Sequence, residues 1–165
     1  MCEIVKAVNS IQLEQVRTLF TEYRAELAVE PCLRSFDEEI ATLPGAYASP
    51  RGTLLLATVA GQPVGCVGLR PFPANETCEV KRLYVRPTFR GSKIGRMLTE
   101  RVLQEARDLG YRSVRLDSHP PTMASAIRLY RQLGFREVSA EPLEPIEGLI
   151  YMESDLATQE AKTPE

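Results

Sequence analysis

Metal-binding side chains are scarce in this sequence. It has a single histidine, His119, and four cysteines, Cys2, Cys32, Cys66 and Cys78, with no C-x-x-C pair among them. A structural zinc site needs a closed set of such donors, so no metal is expected. Unpaired thiols in an otherwise ordinary chain point to a reducing, cytoplasmic setting. A basic excess is also missing. The net charge is −2, which argues against general nucleic-acid binding, since that needs a strongly basic face. No apolar run approaches the roughly 18 residues of a membrane span. The start, MCEIVKAVNS, lacks a basic region followed by a long apolar stretch, so no secretory signal is expected. Repeats, low-complexity stretches and interdomain linkers are absent as well. What is present is 44% hydrophobic and 25% charged residues in 165. That balance suits one soluble domain with its own core, over residues 1–157. The polar residues from 158 to 165 are expected to fray.

Periodicity sets the expected elements. Residues 3–8 read as a short strand, and Asn9 or Ser10 can cap a helix carrying Ile11, Leu13, Val16, Leu19, Phe20, Tyr23 and Leu27 at helical spacing. Pro31 ends that segment. A second short helix opens at Ser35 or Asp37 and stops by Pro44-Gly45. Residues 53–60 and 63–69 read as strands joined by a two-residue hairpin turn at Gly61-Gln62. Another strand runs over 77–85 and stops at Pro87. The clearest helix spans 93–109, with Ile94, Met97, Leu98, Val102, Ala106 and Leu109 on one stripe and Gly110 as its stop. A strand at 113–117, a helix capped by Thr122 and stopped by Gly134, and closing strands at 135–138 and 149–156 complete the chain. Several strands precede the first β-α-β unit. This order predicts an α+β fold: a mixed, largely antiparallel sheet of about seven strands, flanked by helices on both faces.

Charge is concentrated in one place. Residues 81–96, KRLYVRPTFRGSKIGR, carry Lys81, Arg82, Arg86, Arg90, Lys93 and Arg96 and no acid. The segment spans a strand end, a glycine turn and a helix start. A helix N-terminus presents unpaired amides and the positive end of the helix dipole. Gly91 and Gly95 let an anion approach the backbone. The combination reads as a phosphate cradle, although RGSKIG fits neither the P-loop nor the dinucleotide fingerprint. A plain turn with a solvated basic face is the alternative.

Two motifs here resemble those of the GCN5-related N-acetyltransferase (GNAT) family. Leu83-Tyr84-Val85-x-Pro followed by Arg90-Gly91-x-x-Ile94-Gly95-Arg96 looks like its cofactor motif, Q/R-x-x-G-x-G/A, with Lys93 where the middle glycine is usual. Ala126-x-x-Leu129-Tyr130-x-x-Leu133-Gly134-Phe135 looks like its second signature. Both occur in the family's order, and the resemblance covers residues 53–138. It implies acetyl-coenzyme A as cosubstrate and an amine as acceptor. Transfer would be direct, in a ternary complex, to a small molecule or a protein. It further implies a strand at Leu83, Tyr84 and Val85 that splays from its neighbour and pairs with the pantetheine arm. The pyrophosphate would rest on amides of Arg90, Gly91, Ser92, Lys93, Ile94, Gly95 and Arg96. Met123 stands where the family often has a cofactor-binding asparagine and cannot replace that hydrogen bond. The resemblance leaves a homodimer open.

The same resemblance suggests roles for two residues. Tyr130 matches the tyrosine that protonates the departing thiolate; an inner-face aromatic is the alternative. Glu79 lies where family members that use a glutamate base carry it. It can equally be a surface strand residue paired with Lys81 or Arg82, with a water chain acting as the base. His119, between Ser118 and two prolines, reads as a loop residue. Residues 1–50 hold eight acids against four bases. That is either a rim for a cationic amine or a solvated helix face. Tyr23 and Arg70 are acceptor-site candidates, Arg70 for a carboxylate. A catalytically silent coenzyme A-binding module is the rival reading.

Overall fold

The computed structural model describes residues 1–27 and 35–157. The expected helix stop at Pro31, Cys32 and the tail from 158 lie outside these residues. The elements run β1 (Cys2–Lys6), α1 (Ser10–Glu26), α2 (Phe36–Ala41), β2 (Thr53–Val59), β3 (Gln62–Pro71), β4 (Thr77–Val85), α3 (Ile94–Asp108), β5 (Ser113–Ser118), α4 (Ala124–Gln132), β6 (Arg136–Val138) and β7 (Ile150–Asp155). The strands form one seven-stranded sheet in the order β1-β2-β3-β4-β5-β7-β6. Every neighbouring pair is antiparallel except β4 and β5. The α+β expectation therefore holds.

Strand side chains alternate between faces, and the core divides accordingly. In β2, Leu54 and Leu56 join a cluster with Val16, Leu19 and Phe20 of α1 and Phe36 of α2. Leu55 and Ala57 join the other cluster, with Leu98 and Val102 of α3 and Ile127 and Tyr130 of α4. Helices thus cover both faces. Asn9 starts α1 with a capping box: it accepts from the Gln12 amide at 2.8 Å, and its own amide donates to Gln12 Oε1 at 3.2 Å.

Three local expectations are corrected. The hairpin turn is Ala60-Gly61, because Val59 pairs with Gln62. Both turn residues have positive φ, 51° and 78°, the twist that suits a two-residue hairpin. Thr122 does not cap α4; its hydroxyl meets His119 Nδ1 at 2.8 Å, and Met123 takes the cap position without a side-chain bond. The apolar stripes are also narrower than periodicity suggests, since Ile11, Met97 and Leu109 are exposed. Helix ends and stripe edges meet water even where the spacing is regular.

Gly68 carries a packing constraint. A Cβ there would fall 2.6 Å from the buried Tyr47 ring, which covers the β3 backbone. Gly68→Ala is expected to cost about 1–3 kcal/mol through overpacking. Urea unfolding followed by circular dichroism would measure this. A wild-type midpoint would contradict the packing of Tyr47 on the strand.

Candidate active site

The site begins where two strands part. Parallel β4 and β5 pair only at Thr77↔Ser113, Cys78↔Val114 and Glu79↔Arg115. Beyond that, β4 continues to Val85 and β5 to Ser118 with no ladder between them. A backbone edge without a strand partner needs other hydrogen-bonding groups and suits an extended, amide-bearing ligand arm. The opening is a cleft of about 1160 Å³.

A bulge in β4 shapes this edge. Cys66 and Gly68 of β3 face Tyr84 and Lys81 of β4, so β4 carries one residue more than its partner. The extra length is absorbed at Arg82, whose φ is 63°. Left-handed backbone at a non-glycine residue costs of order 1–3 kcal/mol and persists only when its surroundings fix it. Here Glu39 of α2 holds the guanidinium through Nε at 2.9 Å and Nη2 at 3.3 Å. The Phe36 ring lies 3.9 Å beneath it.

After β4 the chain turns through Pro87–Phe89 into α3. Gly91 has φ 88°, and a Cβ there would meet nothing within 4 Å, so its surroundings are open. Lys93, at φ 67°, precedes the first turn of α3 without capping it, and no acid occupies that turn. The first-turn amides therefore lack intrahelical partners and face a site suited to an anion.

The side chains of this basic run are mostly committed elsewhere. Arg86 grips Glu22 of α1 at 2.8 and 3.0 Å. Arg90 donates to the Val85 carbonyl at 2.8 Å and to Glu26 at 2.7 Å. Arg96 contacts Glu100 and Gln132, and Ser92 donates to the Phe89 carbonyl. Lys93 alone among the segment's six cations enters none of the described ion pairs. The expectation of an acidic rim on the first two helices is corrected by the same pairs. Glu22, Glu26 and Glu39 are neutralised by Arg86, Arg90, Arg82 and Arg70, so they present paired rather than net negative charge, and of the three Glu26 and Glu39 line the cleft. Glu30 and Arg34 lie outside the described residues.

Of the residues singled out from sequence, Leu83, Tyr84 and Val85 of β4 line the cleft, as do Arg90, Gly91, Lys93, Ile94 and Gly95. Glu79, Tyr130, Tyr23 and Arg70 line it too, whereas Ser92 and Arg96 do not. Tyr130 is buried, with its ring 5.6 Å from that of Phe135. Burial pushes its phenol well above the usual tyrosine range, so it keeps its proton and can act as a donor. Burial, followed by Glu22 and Glu26, pushes the Tyr84 phenol up to about 12.

Glu79 is not a surface residue: it is buried. Arg70 Nη2 and Lys81 Nζ both approach its Oε1 at 3.2 Å, and Lys81 also reaches Asp117 at 3.2 Å. Both contacts fall on Oε1, and Oε2 remains as a second acceptor on the same carboxylate. Met123 lines the cleft, and its sulfur accepts from the Ser118 hydroxyl at 3.3 Å and the His119 amide at 3.4 Å. His119 is held in its loop by Thr122. Cys66 and Cys78 are buried free thiols that donate to backbone carbonyls, and burial pushes Cys78 up to about 12. Among the described residues no group of three or more metal-ligating side chains could hold an ion. No described helix is long and apolar enough to cross a membrane.

Sequence reasoning missed Glu39, Lys81 and Asp117 as site residues. The Glu79–Lys81 pairing was an open alternative in the sequence, but for Glu39 and Asp117 the only signal is opposite charge at long separation, which does not reveal who pairs with whom. It also missed the apolar side of the cleft formed by Leu143, Ile146 and Leu149, which belong to a connection with no periodicity.

The comparisons agree with this geometry. The chain matches the acetyltransferase (GNAT) family over residues 13–135. It is 35% identical over 146 residues to an uncharacterised N-acetyltransferase of Schizosaccharomyces pombe, covering 88% of this chain and 89% of that one. A GNAT-family acetyltransferase structure from Staphylococcus aureus superposes with a TM-score of 0.75 at 19% identity, over 94% of this chain and 99% of that one. A Salmonella typhimurium acetyltransferase, solved with acetyl-coenzyme A, gives a TM-score of 0.71 at 21% identity and covers 94% of each chain. The protein belongs to the acetyltransferase (GNAT) family.

Proposed function

We propose that the protein transfers an acetyl group from acetyl-coenzyme A directly to a primary amine within a ternary complex. One observation carries this reading: the free edge of β4 leads through the Pro87–Gly91 turn to an uncapped helix N-terminus, with Tyr130 and Glu79 on the walls of the same cleft. The pantetheine amides pair with β4 at Leu83, Tyr84 and Val85. The pyrophosphate rests on main-chain amides from Arg90 to Arg96. Lys93, which alone among the six cations of residues 81–96 enters none of the described ion pairs, adds its side-chain charge, while Arg90 acts through its bond to the Val85 carbonyl.

The acceptor needs a neutral nitrogen. An alkyl amine with pKa near 10.4 must lose a proton at a cost of about 4–5 kcal/mol at pH 7. Glu79, through Oε2 or a water on it, takes that proton. The amine attacks the thioester carbonyl, and a backbone amide near the Arg82 bulge steadies the oxyanion. As the carbon–sulfur bond breaks, Tyr130 gives its proton to the coenzyme A thiolate, and the second proton leaving the new amide nitrogen passes through water to restore the Tyr130 phenol.

Three outcomes follow. Tyr130→Phe is expected to reduce turnover by roughly 10²-fold or more with little change in coenzyme A affinity by calorimetry; unchanged turnover would remove Tyr130 from the chemistry. Glu79→Gln is expected to lose most activity near neutral pH. That deficit should narrow as pH climbs toward the amine pKa, because the free base then forms unaided. A profile parallel to wild type across the range would assign proton removal to water alone. Lys93→Ala is expected to weaken coenzyme A binding by about tenfold, with the effect shrinking in high salt. Equal affinity in both proteins would place the lysine away from the diphosphate. Thiol release from acetyl-coenzyme A with a panel of amines tests the whole reading. Binding without turnover on any amine would favour a silent coenzyme A module.

A further inference from the structure

The acceptor half of the cleft contains a chain of alternating charges. Arg82 meets Glu39, Glu39 meets Arg70 at 3.3 Å, Arg70 meets Glu79, Glu79 meets Lys81, and Lys81 meets Asp117. All six line the cleft. Glu79, Lys81 and Arg82 have side-chain exposures of only 9%, 12% and 9%. Three cations face three carboxylates, so the array is neutral as it stands. Low-dielectric surroundings penalise any unbalanced charge brought into such an array. A simple cationic amine or a simple anion would leave one. A zwitterion would not.

The donors and acceptors have the capacity for one. The two contacts on Arg70 use two of its five N–H donors, and those on Lys81 use two of its three. Both cations converge on the same oxygen of Glu79, so groups able to bind a carboxylate lie beside a group able to accept from an ammonium. An α-amino acid carries its amine and carboxylate on one carbon and so brings both charges to adjacent groups. Beyond the charged wall, Leu143, Ile146 and Leu149 from the connection between β6 and β7 line the cleft. This connection is tied down: Arg115 donates to the Ser139 and Glu141 carbonyls, and the Ile146 amide donates to the Tyr151 hydroxyl at 2.9 Å. Arg115 itself packs 4.8 Å from the Phe72 ring centre. The apolar residues therefore have a fixed place, suited to an apolar side chain.

We propose that the acceptor is a free α-amino acid with an apolar side chain. Its carboxylate is held by Arg70 and Lys81, and its ammonium is presented to Glu79 before losing its proton. This rests on the acetyltransferase reading above and narrows it. The array's neutrality and the tethered apolar side of the cleft are its support.

The experiment compares leucine, leucinamide, isopentylamine and aspartate as acceptors, with wild type and Arg70→Gln. Wild type is expected to use leucine with a kcat/KM about tenfold or more above leucinamide and isopentylamine, which lack the carboxylate. Aspartate, with its second negative charge, should be poorer than leucine. In Arg70→Gln the leucine-to-leucinamide ratio should fall toward one. General damage to Glu79 or to folding lowers both substrates alike and leaves the ratio intact, so the ratio isolates carboxylate recognition. Equal or better use of leucinamide by wild type, or a preference for aspartate, would overturn the amino-acid assignment while leaving acetyl transfer standing. An Arg70→Gln ratio equal to that of wild type would remove Arg70 from carboxylate binding. Failure of every amine despite coenzyme A binding would instead overturn the proposed activity itself.

Discussion

The architecture depends on two parallel strands that stop pairing. β4 and β5 share three residue pairs and then separate, leaving a backbone edge in the middle of a seven-stranded sheet. Unpaired backbone polar groups in such a position are costly unless water or a ligand satisfies them. A sheet that kept pairing to the end of β4 would be more regular and would have no cleft. The bulge at Arg82 stands on the other side of the same strand. Its positive φ is held by Glu39 and Phe36 of α2, so the short second helix fixes the shape of the edge from a distance.

Electrostatics divides the basic run between structure and binding. Arg82, Arg86 and Arg90 tie β4 and its following turn to α1 and α2 through Glu39, Glu22 and Glu26. Partly buried pairs of this kind add little net stability, but they fix the geometry of the strand end. What is left for a diphosphate is main-chain amide and one lysine. The cofactor half of the cleft thus relies on backbone, whereas the acceptor half relies on side-chain charge in balanced pairs.

Much of the fold was readable because its elements are locally self-consistent. The strands at 53–59 and 77–85, helix α3 and the stop at Gly110 each follow from periodicity and punctuation. The glycine turn and Tyr130 were readable as motif positions. The turn at Ala60-Gly61 was placed one residue late because alanine at positive φ gives no sequence signal. The cap of α4 was misread because Thr122 bonds to His119 instead of the helix. The charge network escaped for a different reason. Glu39 and Arg82 are 43 positions apart, and only the packing of α2 against β4 joins them. The acids of the first fifty residues looked like a surface feature until their partners were known.

Amide hydrogen exchange over β4 offers the most direct test of the open edge. In the free protein, the amides of residues 80–85 that point away from β3 are expected to exchange faster than those of 77–79 that point toward β5. Saturating acetyl-coenzyme A should slow exchange at 83–85 and at the first turn of α3, with little change in β2. Equal protection of the β5-side amides all along β4 in the free protein, or no slowing at these two places on adding cofactor, would contradict the account.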